Sequence, residues 1–250
     1  MSKTSLVIPV YNDAATLKRL LSVVMGFHDL TDIIVADASP NYQIKNLCES
    51  FSRVTYLRSV RGRGAQIDAG IKAAKENYIW VLHADSHVSE LALAEISRVL
   101  SNPKIALGCF ALHFDKRHPL LSVFAWISRA DSLMTTFGDQ GYFFRRKDYF
   151  STDGVAQYPL LEDVILRQML MTLRDGGVVK SSIPITTSAR RFVKKGIWST
   201  QFFNAAILLR YMLGHSPQRL YEAYYNVAQD LNPLQDLQIV NFEPKVASQK

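Results

Sequence analysis

The apolar run Tyr78-Ile79-Trp80-Val81-Leu82 stops abruptly at His83-Ala84-Asp85-Ser86. A carboxylate delivered at the end of a buried strand suits Mg2+ or Mn2+, which take carboxylate together with phosphate oxygens and water. Taken alone, Asp85 would equally well cap a following helix. The segment from Gly62 through Arg63, Gly64 and Asp68 to Gly70 is a second cluster. Glycines at a helix start admit a ligand close to the backbone, and Arg61 and Arg63 offer charge to phosphate. It is neither the dinucleotide fingerprint nor a Walker loop, and a solvated glycine-rich turn has the same composition. Glu162-Asp163 opens a helical pattern after Tyr158-Pro159-Leu160-Leu161. Two acids in a first turn complement the helix dipole, or one of them removes a proton from a hydroxyl. Ser188-Ala189-Arg190-Arg191-Phe192 adds a basic pair suited to a diphosphate or to solvent.

These clusters need elements to hold them. Residues 6–10, 33–36, 54–57 and 78–82 read as short buried strands, and amphipathic helical patterns separate them. Pro9 suggests a strand end or irregularity, Asn12 or Asp13 caps the first helix, and Ser89 is placed to cap the helix ending at residue 100. Alternation of this kind makes an α/β fold, a single mostly parallel central sheet flanked by helices. Ligands bind such sheets at the carboxyl ends of the strands, so Asp37 and the 83–85 cluster should line one crevice. Further strands are expected at 105–114, 141–144 and 183–188, and helices at 119–134 and 161–174. The run Arg145-Arg146-Lys147-Asp148 reads as a charged patch. Two helices follow residue 196, divided where Ser216 and Pro217 form a cap and first helical position. The organisation expected is a main domain over 1–195, a C-terminal helical extension over 196–230 and a polar tail over 231–250.

The formal net charge of +7 favours an anionic partner without choosing between nucleic acid, a phosphorylated small molecule and an acidic membrane. Cys48 and Cys109 stand apart, which disfavours a zinc site or disulfide framework and fits a reducing cytoplasm. No signal-peptide pattern is evident, and no uncharged apolar stretch reaches the ~20 residues that span a bilayer. The apolar segment 197–213 reads as a core or subunit-interface helix, compatible with a homodimer. Its flanking Lys194, Lys195, Arg210 and Arg219 also suit peripheral membrane contact.

In order along the chain, these pieces resemble glycosyltransferase family 2, the GT-A fold. Ile8-Pro9-Val10-Tyr11-Asn12-Asp13 is similar to that family's opening, and Asp37-Ala38-Ser39 falls where its acidic residue faces the nucleobase. Gly62 to Gly70 is similar to its Gly-Lys-Gly-x-x-x-Asn-x-Gly stretch, with Arg63 for lysine and Asp68 for asparagine. Leu82 to Ser86 takes the place of its DxD motif, with His83 for the first aspartate, and Glu162-Asp163 that of its catalytic pair. Pro40-Asn41 replaces the usual continuation after Asp37. Leu82-His83-Ala84-Asp85, Gly138-Asp139-Gln140-Gly141, Leu161-Glu162-Asp163 and Thr187-Ser188-Ala189-Arg190-Arg191 look like one bacterial subgroup, the rSAM/selenodomain-associated transferase 2 group.

The resemblance implies an inverting transfer of a sugar from a nucleoside-diphosphate sugar to an acceptor hydroxyl, with no nucleic-acid partner. It implies Asp163 as base beside Glu162, and Asp85 as ligand of Mg2+ or Mn2+. Pro9, Tyr11, Asp13, Asp37, Arg63, Asp68, His83, Ala84, Arg190 and Arg191 would surround the donor, and Asp139 and Gln140 would border the acceptor. A nucleotidyltransferase would carry a glycine- and arginine-rich loop where Tyr11-Asn12-Asp13-Ala14 stands. A degenerate binding scaffold of the same fold would draw support from His83 and Asp68.

Overall fold

The computed structural model describes residues 3–132, 135–136, 138–189 and 197–223, the side chains of 197–201 excepted. The elements alternate as β1 (Thr4–Val10), α1 (Ala14–Val24), β2 (Asp32–Asp37), α2 (Gln43–Glu49), β3 (Val54–Arg58), α3 (Arg63–Ala73), β4 (Tyr78–Val81) and α4 (Leu91–Leu100). Then come β5 (Leu107–Phe114), α5 (Pro119–Ile127), a 3-10 turn (Gly138–Gln140), β6 (Phe143–Arg145), α6 (Arg146–Tyr149), α7 (Glu162–Met171), β7 (Val178–Thr187) and α8 (Ile197–Met212).

The strands form one sheet in the order β3-β2-β1-β4-β6-β5-β7. Only β6 runs antiparallel, to both β4 and β5. Period-two alternation sends Leu6 and Ile8 to one face and Val7 to the other, so the core has two layers. One packs Leu17, Leu20 and Ile96 of α1 and α4 against Trp80 and Phe110. The other packs Ile67 and Ile71 of α3 and Leu166 and Leu170 of α7 against Val7 and Ile34. This is the expected α/β architecture, with helices on both faces of a mostly parallel sheet.

Local rules explain most element ends. Asp13 caps α1 by accepting from the Thr16 N–H at 3.4 Å. Pro9 lies in register with Ala36 of β2, but pairing between β1 and β4 stops at Val7, so no ladder partner is lost there. Pro184 sits on the edge strand β7, beside the bulge between Phe110 and Ala111. Ser89 does not cap α4: the cap position is Glu90, and Ser89 offers only its carbonyl, to the Ala92 N–H. The expected helix over 119–134 is shorter, ending at Ile127. Beyond α8, a helix begins at Pro217 with the Ser216 hydroxyl accepting from the Arg219 N–H at 3.4 Å. The Tyr211 hydroxyl donates to Gln168 at 2.6 Å, which ties α8 to α7. The expected divide at 195/196 and the tail over 231–250 lie outside the described residues.

Gly70 shows how tightly α3 is laid on the sheet. A Cβ added there would sit 2.4 Å from Cγ1 of Val7 in β1. Alanine gains about 1 kcal/mol of helix propensity over glycine, whereas overpacking a rigid core costs about 1–3 kcal/mol. The clash with a stiff β-branched side chain should win. Gly70→Ala is expected to lower unfolding free energy by roughly 1 kcal/mol in urea titration, and Val7→Ala should cost less in that background than in the wild type.

Candidate active site

The carboxyl ends of β1, β2 and β4 open on one edge of the sheet, and the starts of α3 and α7 meet them there. Gln66, buried on α3, bolts this edge together: its side-chain amide donates to the Val10 carbonyl at 2.7 Å and the Ala36 carbonyl at 2.8 Å. The Asn12 N–H donates to the Ser39 hydroxyl at 2.8 Å, so the loops after β1 and β2 are also tied. Asn12 has a φ of 51°, an uncommon conformation at the mouth of the site. Tyr11 is 41% exposed, and the Arg61 guanidinium lies 4.7 Å above its ring.

Asp37 reaches this edge but is fully buried. One of its oxygens accepts from the Ser39 N–H at 2.7 Å and the other from the Tyr56 hydroxyl at 3.1 Å, with Arg58 at 3.6 Å. Its carboxylate therefore organises the loop from beneath. Asp68 is likewise buried, 2.8 Å from the Tyr149 hydroxyl and 2.7 Å from Lys72. Lys72 neutralises its charge. Gln140 is fully buried as well. It donates to the carbonyls of Ser128 and Thr135 and accepts from Lys180 at 2.6 Å, bracing the chain ahead of the 3-10 turn. Arg190 and Arg191 lie outside the described residues.

Arg63, His83, Asp85, Asp139, Glu162 and Asp163 converge. Leu161, with a φ of 61°, starts α7 in a left-handed turn and sets Glu162 and Asp163 on its first turn. Holding a leucine there stores strain, a feature that concentrates at functional sites. Glu162 is 2% exposed and forms an ion pair with Arg63. Asp163 points the other way: one oxygen accepts from the Gly138 N–H at 2.7 Å and the other from the Val164 N–H at 2.8 Å. A carbon placed on Gly138 would lie 3.3 Å from both Asp163 Oδ2 and His83 Nε2, so the imidazole and this carboxylate flank the turn together. Nδ1 of His83 is 3.5 Å from Asp139. Burial, followed by the charge of Arg63, pushes His83 below its ordinary value, against the opposing pull of Asp139, Asp85 and Asp163. The imidazole is then neutral near pH 7.

Asp85 and Ala84 sit on the loop after β4, Ala84 buried and Asp85 half-buried. Beside them the Ser86 hydroxyl is buried without a hydrogen-bond partner among the described residues. No group of three ligating His, Cys, Asp or Glu side chains gathers among the described residues. This donor set fits a cation that draws its remaining ligands from a substrate's phosphates and water, and not a preformed cage.

The model of one family, glycosyl transferase family 2, matches residues 5–152, more than half of the chain, from within β1 to beyond α6. The chain belongs to glycosyl transferase family 2. Its fold agrees with solved GT-A glycosyltransferases. The mannosyltransferase PcManGT from Pyrobaculum calidifontis, in complex with GDP-Man and Mn2+, has a TM-score of 0.64 at 14% identity, over 92% of this chain and 71% of its own. Mannosyl-3-phosphoglycerate synthase from Rubrobacter xylanophilus gives 0.57 at 14% identity, over 84% and 74%. Glucosyl-3-phosphoglycerate synthase from Mycobacterium tuberculosis, in complex with Mn2+, UDP and glucosyl-3-phosphoglycerate, gives 0.55 at 15%, over 83% and 78%. No curated protein sequence matches the chain.

Within this family 2 member Gly64 has a role that sequence reading missed. A Cβ on Gly64 would lie 2.4 Å from the Val155 carbonyl and 2.6 Å from that of Tyr158. The close approach is to the protein's own backbone just ahead of α7, not to a ligand. Gln66 was also missed, because a glutamine in a helix gives no sign that it will cap strand carbonyls.

Burial, opposed by Arg63, raises the Glu162 carboxyl above its ordinary value. The folded chain then binds this proton more tightly than the unfolded chain, so stability falls as pH rises from the ordinary value through the raised one. Urea midpoints measured from about pH 4 to 8 should show this falling component in the wild type. Glu162→Gln should remove it, and an unchanged slope in the variant would place the titrating group elsewhere.

Proposed function

We propose that the chain is an inverting, nucleotide-sugar-dependent glycosyltransferase with Asp163 as its base. The observation that carries this is the separation of roles between adjacent carboxylates. Glu162 is buried against Arg63, while Asp163 is held by two backbone N–H groups at the same sheet edge as His83 and Asp85. Two N–H donors fix the orientation of the Asp163 carboxylate, and no ion pair occupies it among the described residues, so it is aimed as a base must be.

The acceptor oxygen attacks the anomeric carbon from the face opposite the diphosphate and gives its proton to Asp163. The bond from that carbon to the diphosphate oxygen breaks, and its electron pair leaves with the nucleoside diphosphate. A divalent cation, Mg2+ or Mn2+, held by Asp85 and the donor's phosphate oxygens, would neutralise charge on that leaving group. The structural neighbours that carry Mn2+ with GDP-Man or UDP support this reading. His83 and Ala84 flank Asp85, Pro9, Tyr11 and Asp13 form the base side of the donor site, and Asp139 borders the acceptor. Arg63, Asp37, Asp68 and Gln140 act through the loops they hold, and Arg190 and Arg191 complete the phosphate side. The rSAM/selenodomain-associated subgroup belongs to the same proposal and rests on the sequence motifs.

Two substitutions separate binding from chemistry. Asp163→Asn should leave nucleoside-diphosphate affinity within a few-fold and lower turnover by about 10²–10⁴, measured as nucleotide release over a panel of nucleotide sugars with Mn2+. Asp85→Ala should remove the metal-dependent part of donor binding in calorimetry run with and without Mn2+. Donor affinity that keeps its metal dependence would move the cation site away from Asp85. Failure of the wild-type protein to bind any nucleoside diphosphate would end the proposal.

A further inference from the structure

The nine residues of α5, Pro119–Ile127, include no charged side chain. Leu121, Ala125 and, one turn on, Ser128 turn inward and are buried. On the opposite face Val123, Trp126 and Ile127 are 50%, 69% and 41% exposed. A helix without charged side chains is normally well covered, and this one leaves Val123, Trp126 and Ile127 exposed alongside Ser122. Cations stand at both ends: Lys116 and Arg117 before the helix, Arg129 after it, all exposed. None of the three is in an ion pair among the described residues. Of the nearby acids, Asp131 is paired with Arg167, and Asp115, held by the Ser188 hydroxyl and the Ala189 N–H, leaves the three cations in excess. Lys116, Arg117, Arg129, Phe114 and Trp126 contribute to the lining of a cleft of about 260 Å³ on this face.

We propose that α5 docks the protein on an anionic lipid surface, lying in the plane of the interface with Val123, Trp126 and Ile127 in the acyl boundary and the three cations among the headgroups. The dimensions agree. No helix of the described residues is long and apolar enough to cross a membrane, and nine residues reach less than half of a bilayer core. Trp126 has the apolar body and polar tip that favour an interface. Charge complementarity selects the occupant: a second copy of this face would bring like cations together at both ends of the helix. A nucleic acid would leave the aliphatic face uncovered. α8 also exposes Phe202, Leu209 and Met212, with Leu213 just beyond it, but the described cations near it, Arg210 and Arg219, both stand toward its C-terminal end, whereas those of α5 stand at both ends. The docking of α5 does not depend on the chemistry proposed for the site.

The test is co-sedimentation of the full chain with vesicles of phosphatidylcholine alone and with about one third phosphatidylglycerol. Binding to the anionic vesicles should be at least tenfold stronger and should weaken with salt. Each basic residue near an anionic surface contributes roughly fivefold, so Lys116→Glu with Arg117→Glu should lower binding tenfold or more. Val123→Ser with Trp126→Ser should do the same. Both pairs replace exposed side chains, so thermal midpoints and nucleotide-sugar turnover should stay at wild-type values. Equal binding to both vesicles, no binding to either, or binding indifferent to both pairs would overturn the proposal. So would a concentration-dependent dimer abolished by the same substitutions. If the serine pair failed to fold, the charge-reversal pair would decide.

Discussion

A carboxylate as deeply buried as Glu162 must lie beside a cation, and Arg63 is that cation. The pair joins the start of α3, from the first half of the chain, to the start of α7, from the second. Gly64 lets these segments close to backbone contact. Removing one member of a buried pair costs about 3–5 kcal/mol where both are enclosed. The upper end does not apply, because the Arg63 side chain is 41% exposed. Everything else at the site inherits its position from this contact: with α3 and α7 locked, Asp163 faces the turn at Gly138, and that turn brings His83 and Asp139 together.

The contact also explains how two adjacent acids come to differ. Position on the helix gives Glu162 and Asp163 the same dipole, so the dipole cannot separate them. Burial and the ion pair with Arg63 act on Glu162, whereas the hydrogen bonds that Asp163 accepts among the described residues come from backbone N–H groups. Environments that differ over one residue are how a single fold assigns distinct roles to like side chains. Strain at Leu161 is the local cost of turning the chain so that both carboxylates sit in the first turn of α7.

Much of this was legible beforehand, because it depends on local pattern. All seven strands and the mostly parallel α/β sheet follow from apolar periodicity, the common edge of Asp37 and 83–85 follows from the rule that ligands gather at strand carboxyl ends, and the meeting of 83–85 with α7 was implied by the family resemblance. Long-range polar contacts were not legible. Arg145 read as part of a charged patch, yet it is buried and donates to the carbonyls of Leu100, Asn102 and Ile105, closing the end of α4. Asp148 of the same run pairs with Arg174. Gln140 and Asp37 read as ligand contacts, and the bonds described for them are to interior groups of the protein, since a polar side chain looks the same in sequence whether it meets substrate or the protein's own interior.

The same sorting changes what the net charge of +7 means. Arg63, Lys72, Arg167 and Arg174 each face a carboxylate. Arg53 is absorbed by the backbone carbonyls of Met25, Phe27 and Leu30, and Arg145 chiefly by carbonyls, with Asp148 at 3.5 Å. These last two add formal charge while serving the fold, so the total overstates the pull on an anionic partner. The cations that act outward are the ones the fold has not engaged, such as Arg61 over Tyr11 at the cleft and Lys116, Arg117 and Arg129 around α5. Two places on the molecule therefore attract anions for different reasons. The first suits a compact diphosphate beside ordered backbone; the second is broad, shallow and apolar at its centre, a shape that suits an extended surface.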